Sequence, residues 1–124
     1  MASRAMRRAV TALAVIVLVG ALGASTATAH VQIVKTSPSG TAKTSQASVW
    51  VLFSGPIRSG SMKVLGPDGS KVSKGAGGRD PRNVDRLFVG LISGLVPGVY
   101  TAEAKWIAAD GHHQEATFSF RLKR

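Results

Sequence analysis

Beyond residue 30, apolar and polar side chains alternate in short runs that are separated by turn-forming residues. The alternation is clearest in residues 99–107 and 115–122, and a period of two predicts strands with one buried face. One face of the first strand carries Tyr100, Ala102, Ala104 and Trp106. The core face of the second is predicted to carry Ala116, Phe118, Phe120 and Leu122.

Five further runs predict strands at residues 30–34, 48–53, 61–65, 71–73 and 86–92. The Gly-Pro-Asp-Gly segment at 66–69 predicts a hairpin turn between the runs at 61–65 and 71–73. Residues 74–85 are polar and rich in glycine, and they predict a mobile loop. Seven short strands without an amphipathic helix favour an all-β fold, a seven-stranded Greek-key β-sandwich or barrel.

The N-terminal 29 residues have the pattern of a secretory signal peptide. Arg4, Arg7 and Arg8 precede an apolar stretch at residues 9–22, and Ala-Thr-Ala at 27–29 supplies the small residues of a cleavage site. The apolar stretch is shorter than the roughly 20 residues that a membrane-spanning helix needs. We therefore expect residues 1–29 to be removed on export and residues 30–124 to form one domain that begins with His30.

Composition narrows the chemistry of that domain. The chain contains no cysteine, which excludes disulfides, thiolate nucleophiles, zinc-thiolate sites and iron–sulfur clusters. Thirteen of the 16 Lys and Arg residues and all six Asp and Glu residues follow the leader. Residues 30–124 therefore carry a net charge of +7. The densest basic group consists of Lys63, Lys71, Lys74, Arg79, Arg82 and Arg86.

The three histidines lie where a metal site could form. Cleavage after Ala29 would give His30 a free α-amine, with a pKa of about 7.7–8.0, so that amine and imidazole can chelate one metal ion. Asp110 and His112 are two residues apart and can point to the same side. Nitrogen and oxygen donors of this kind suit Cu(II), with Zn(II) as the main competitor. Alternatively, Asp110 caps an Asp-Gly turn and the histidines are solvated loop residues.

Several segments together resemble one known family. They are His-Val at 30–31, Ser-Pro-Ser-Gly at 37–40, Val-Trp-Val-Leu-Phe-Ser-Gly-Pro at 49–56, Gly-Pro-Asp-Gly at 66–69, Leu-Val-Pro-Gly-Val-Tyr-Thr at 95–101, Trp-Ile-Ala-Ala-Asp-Gly-His at 106–112 and Thr-Phe-Ser-Phe at 117–120. In this order they resemble the CopC family of exported copper-binding proteins. The resemblance implies a cupredoxin-like Greek-key β-sandwich (Ig-like) and a Cu(II) site formed by His30, Asp110 and His112.

The chain departs from that family pattern at three points. Met62 is the only methionine after the leader, so no second, methionine-rich Cu(I) site is expected. His113 stands where the family usually has proline. Because neighbours in an extended chain face opposite ways, we leave it out of the ligand set. This departure leaves open that His113 exchanges with His112 or adds a weak ligand. No membrane segment follows the domain before Arg124, so any membrane copper transporter is expected to be a separate protein.

The resulting prediction is a monomeric, non-enzymatic protein, periplasmic or extracellular, that sequesters Cu(II) or carries it to a transporter. One alternative is a copper oxidase or monooxygenase, whose sites also use an N-terminal histidine, although Asp110 would occupy a position that O₂ chemistry needs. Another is a basic β-sandwich that binds anionic polymers. Nucleic acid is not an expected partner of an exported protein.

Overall fold

The computed structural model describes residues 31–124, which form eight strands arranged in two sheets. The strands are β1 (Ile33–Ser37), β2 (Thr41–Lys43), β3 (Ser48–Phe53), β4 (Ile57–Leu65), β5 (Ser73–Asp80), β6 (Asn83–Leu91), β7 (Gly98–Ala108) and β8 (His113–Lys123). The first sheet has the order β1-β3-β6-β5 and the second the order β2-β8-β7-β4. Within these residues, no helix is long and apolar enough to cross a membrane.

The period-two pattern determines which side chains form the core. In β7 the even-numbered residues from Tyr100 to Trp106, which the sequence placed on one face, are buried, and so is Ala108. The β7 strand pairs with β8 in antiparallel register from Gly98 opposite Leu122 to Ile107 opposite His113. Aromatic pairs add to this core: the ring centroids are 5.7 Å apart in Tyr100–Phe120 and 4.6 Å apart in Phe53–Trp106. The all-β prediction is therefore confirmed.

The predicted count of seven strands is wrong for the described residues, which contain eight. The strand that sequence analysis missed outright is β2, because three largely exposed residues show no measurable periodicity. Residues 74–85, predicted as a mobile loop, instead supply most of β5 and the start of β6. A bulge between Lys74 and Gly78 and positive φ angles at Gly75 and Gly77 disrupt the apolar pattern there.

The predicted leader, residues 1–29, and His30 lie outside the described residues. The first predicted strand, residues 30–34, begins at Ile33 in the described part of the chain and extends to Ser37.

Four segments of the chain meet at one end of the two sheets. The start of β1 lies beside the end of β3, because Ile33 pairs with Phe53. The end of β5 and the start of β6 form a turn at the same end, since Asp80 pairs with Asn83. The start of β4 lies beside the end of β7, through Ile57 and Ala108. This end therefore collects the beginning of the described chain, the turns 54–56 and 81–82, and the turn 109–112.

Candidate metal centre

The turn between β7 and β8 carries the two predicted ligands of the described chain. The Ala108 N–H donates to the carbonyl of His112 at 2.9 Å, and the Gly111 N–H donates to the carbonyl of Ala108 at 2.8 Å. Gly111 has a φ of +95°, a conformation that only glycine adopts without strain. The Asp-Gly-His sequence therefore closes a tight turn and leaves the side chains on either side of Gly111 close together.

Asp110 and His112 make two contacts with each other. Asp110 Oδ1 accepts the backbone N–H of His112 at 3.1 Å, and Asp110 Oδ2 lies 2.9 Å from His112 Nδ1. Two donors bound in neighbouring positions of a tetragonal metal ion, each at about 2.0–2.1 Å, would be roughly 2.9 Å apart. The side chains are 34% and 55% exposed, respectively, so they remain accessible to an incoming ion. The contact is that of an ion pair, and the same separation suits two adjacent ligands once a metal ion takes the place of the proton between them.

Arg58, at the start of β4, fixes this turn from the neighbouring strand. Its Nη2 donates to the carbonyl oxygen of Ala109 at 3.0 Å. Its Nη1 lies 4.0 Å from the position that a Cβ at Gly111 would occupy. The guanidinium group therefore restrains the backbone at Ala109, directly before Asp110.

The beginning of the described chain is anchored next to the same turn. Val31 packs against the core, and its carbonyl accepts a hydrogen bond from Gln114 Nε2 at 3.3 Å. Gln32 exchanges two hydrogen bonds with Ser54, one from the Ser54 N–H at 2.7 Å and one to the Ser54 Oγ at 2.8 Å. Gln114 follows His112 by two residues, about 7 Å along a strand. Val31 is thereby held close to the strand that follows the turn, and Gln32 is held to the turn after β3.

The other residues that the sequence analysis singled out do not lie in this turn. His30 is not among the described residues, so its place is not given by the contacts above. His113 pairs with Ile107 and lines an open cavity of about 490 Å³ with Ser59, Lys105 and Glu115. Among residues 31–124, no three His, Asp or Glu side chains gather into a set that could hold a metal ion. Met62 is 2% exposed and belongs to the core.

Sequence reasoning missed Arg58, Ser54 and Gln114. Each of them forms a hydrogen bond with a residue far away in the sequence. The separations are 51 residues for Arg58, 22 for Ser54 and 83 for Gln114. No local pattern marks such residues, because their role depends on which strands the fold brings together. Two buried polar atoms of this region, Trp106 Nε1 and Gln114 Oε1, have no hydrogen-bond partner among the described residues.

Comparison with known proteins identifies the family. The model of the CopC domain matches residues 33–123. The fold is similar to the crystal structure of CopC from Methylosinus trichosporium OB3b, with 24% sequence identity, a TM-score of 0.63 and coverage of 76% of this chain and 94% of that one. It is also similar to PcoC, a methionine-rich copper resistance protein from Escherichia coli, with 20% identity, a TM-score of 0.59 and coverage of 77% and 100%.

A search of the curated proteins gave no match. The matched domain spans every described strand and includes the turn that holds Asp110 and His112. The chain therefore belongs to the CopC family of copper-binding resistance proteins.

Proposed function

We propose that the protein, once residues 1–29 are removed, binds one Cu(II) ion outside the cytoplasm and sequesters it or carries it to a separate membrane transporter. The ligands are the α-amine and imidazole of His30, the carboxylate of Asp110 and the imidazole of His112. Amine, imidazole and carboxylate donors match the preference of Cu(II) for nitrogen and oxygen in a tetragonal arrangement.

The observation that carries this proposal is the 2.9 Å approach of Asp110 Oδ2 to His112 Nδ1 beside the anchored start of the described chain. Consecutive Cα atoms are 3.8 Å apart, so the anchoring of Val31 restricts the space that the preceding residue can reach. This supports a chelate in which His30 completes the pair formed by Asp110 and His112.

The donor set also favours holding the ion over redox catalysis. Four donors from three residues fill the square plane of a Cu(II) ion, and no coordination position remains in that plane for a substrate. Soft ligands, which Cu(I) prefers, are scarce: the chain lacks cysteine, and Met62 is buried in the core.

The test compares two forms of the protein that both begin at His30, one with a free α-amine and one in which that amine is acetylated. We expect the first form to give a tetragonal nitrogen–oxygen EPR signal that saturates at one equivalent of Cu(II). The acetylated form should lose most of that signal, because an acetylated α-amine no longer offers a basic nitrogen to chelate the ion together with the imidazole of His30. Equal binding by both forms would rule out the N-terminal chelate and with it the proposed site.

A competition experiment tests the identity of the metal. The form beginning at His30 is loaded with one equivalent of Zn(II) and then titrated with Cu(II). We expect Cu(II) to displace Zn(II), as the order of divalent metal affinities requires for a nitrogen–oxygen site. Retention of Zn(II) against an equal concentration of Cu(II) would show a tetrahedral zinc site instead.

A further inference from the structure

The outer face of the first sheet carries a groove with an aromatic floor, remote in sequence from the copper ligands. Trp50 of β3 and Phe88 of β6 are directly opposite each other in the antiparallel register. Phe88 is 39% exposed, and Trp50 is partly exposed. We call the concavity formed by Ser48, Trp50, Phe88, Arg86 and the turn at residues 80–82 the aromatic groove.

The aromatic groove has the dimensions of a ligand site. Its volume is about 470 Å³, within the range of roughly 300–1,000 Å³ that is typical of small-molecule pockets. Gly78 of β5 is the register partner of Phe88, and a Cβ at Gly78 would meet no atom within 4 Å. The side of the Phe88 ring that faces β5 is therefore left uncovered.

Arg86, which lines the groove, is held in place by Asp80 and Trp50. Its Nε and Nη2 donate to Asp80 Oδ2 at 2.9 and 2.6 Å, and its Cζ lies 5.2 Å from the centroid of the Trp50 ring. Asp80 is 7% exposed and also accepts the N–H of Arg82 at 2.9 Å. Within residues 31–124, none of these bonds uses Nη1 of Arg86. A guanidinium that is fixed on two sides can present this remaining edge to an anion at little entropic cost.

Further cations surround the groove. The Lys35 Nζ lies 5.9 Å from the centroid of the Trp50 ring, and Arg82 lines the end formed by the turn. Lys74 is opposite Gly90 in the register, beside the end formed by Ser48. The one acidic residue that lines the groove, Asp80, is paired with Arg86. The groove therefore offers positive charge at both ends and along one side.

We propose that the aromatic groove binds an acidic oligosaccharide. Pyranose rings present flat C–H faces that pack against the negatively polarised faces of aromatic rings, here the uncovered side of Phe88. Trp50, over which Arg86 and Lys35 lie, holds these two cations beside that ring. Carboxylate or phosphate groups on the sugar pair with Arg82, Arg86 and Lys35. An extended acidic peptide would pair with the cations but has no flat ring face to pack against the aromatic floor of the groove.

The first test measures binding by the protein in EDTA, so that copper plays no part. The probes are oligogalacturonate, a phosphorylated dextran, neutral dextran, poly-glutamate and single-stranded oligothymidylate. We expect one or both acidic saccharides to bind and to alter the tryptophan emission through Trp50. Their affinity should fall as salt rises and should exceed that for neutral dextran and poly-glutamate by at least about tenfold.

The two acidic saccharides distinguish a carboxylated ligand from a phosphorylated one. Equal or tighter binding of poly-glutamate would overturn the proposal, because it would show a response to charge alone. Tighter binding of oligothymidylate would assign the groove to nucleic acid and overturn it as well, as would the failure of every saccharide to bind.

Matched variants locate the binding. Phe88→Ser and Arg82→Gln alter exposed groove residues, while Val99→Ser and Arg121→Gln make the same types of change on exposed residues of the second sheet. We expect each groove variant to weaken oligosaccharide binding by at least about fivefold and the control variants to leave it unchanged. Circular dichroism should show all four variants to be folded in EDTA, so that a loss of binding is not a loss of the fold. Equal losses in groove and control variants would exclude the groove as the site.

Discussion

At the scale of single residues, Asp110 has two roles that one substitution can separate. Its Oδ1 caps the turn by accepting the His112 N–H, and its Oδ2 approaches the His112 ring. Asp110→Asn keeps an oxygen for the cap and removes the charge. We expect the free energy of unfolding of the metal-free protein to change by less than about 0.5 kcal/mol and the Cu(II) affinity to fall at least about tenfold. Calorimetric titration and denaturant unfolding measure the two effects, and an unchanged affinity would remove Asp110 from the site.

The adjacent histidines offer a matched pair. His112 lies in the turn beside Asp110, whereas His113 begins β8 and pairs with Ile107. We expect His112→Gln to abolish the one-equivalent tetragonal EPR signal and His113→Gln to preserve it. If the two variants behave alike, the rings are interchangeable ligands, and the assignment to His112 alone fails.

Asp80 gives the first sheet a specific pH dependence. The backbone N–H of Arg82 and, next, the Arg86 side chain lower the pKa of its carboxyl below the usual value of 3.8. A lowered folded-state pKa adds stability that is present above the unfolded-state value and is lost as the pH falls through the folded-state value. We therefore expect Asp80→Asn to be less stable than the parent protein near pH 6 and the difference to shrink below pH 3.8. Urea unfolding measures the stability of both proteins, and a stability difference that does not change with pH would contradict this expectation.

At the scale of secondary-structure elements, the predictable strands are those in which burial itself alternates. β7 and β8 have long period-two patterns, so their faces could be read from the sequence. β5 could not, because its exposed face is largely glycine and polar residues and its register is broken by bulges. The same limit applies to the candidate site: Asp110 and His112 are marked by spacing, whereas Arg58 and Gln114 act through strand pairing that no local pattern encodes.

Two glycines of β5 separate conformational strain from steric overlap. Gly75 and Gly77 have φ angles of +66° and +68°, but a Cβ at Gly75 would meet open space. A Cβ at Gly77 would overlap the carbonyl oxygen of Phe88 and lie 2.8 Å from Val89 Cβ. We expect Gly75→Ala to cost about 1–2 kcal/mol for the left-handed backbone and Gly77→Ala about 1–3 kcal/mol more. The difference is measured from the denaturant midpoints of the two variants, compared at equal slopes of their unfolding curves. Equal losses of unfolding free energy would show that β5 can shift away from β6.

At the scale of the whole molecule, we expect bound copper to stabilise the folded state. The described domain has no disulfide, since the chain has no cysteine, and its core is that of fewer than 100 residues. A ligand that binds only the folded state at a hundredfold excess over its Kd stabilises it by about 2.7 kcal/mol. We expect Cu(II) at that excess to raise the Tm of the form beginning at His30 by roughly 10–20 °C. The form with an acetylated His30 amine should show a much smaller shift, and a Tm that does not respond to Cu(II) in either form would argue against the site.

The strand order of the second sheet also governs when this domain can fold. β8 lies between β7 and β2, and its parallel pairing joins residues about 80 positions apart in the chain. Closing so large a loop is entropically costly, and folds dominated by such distant pairings form in milliseconds to seconds. The sheet cannot be completed until residues 113–123 are available. Completion of the second sheet therefore follows synthesis of its last strand, which agrees with the proposed export of the chain before it folds.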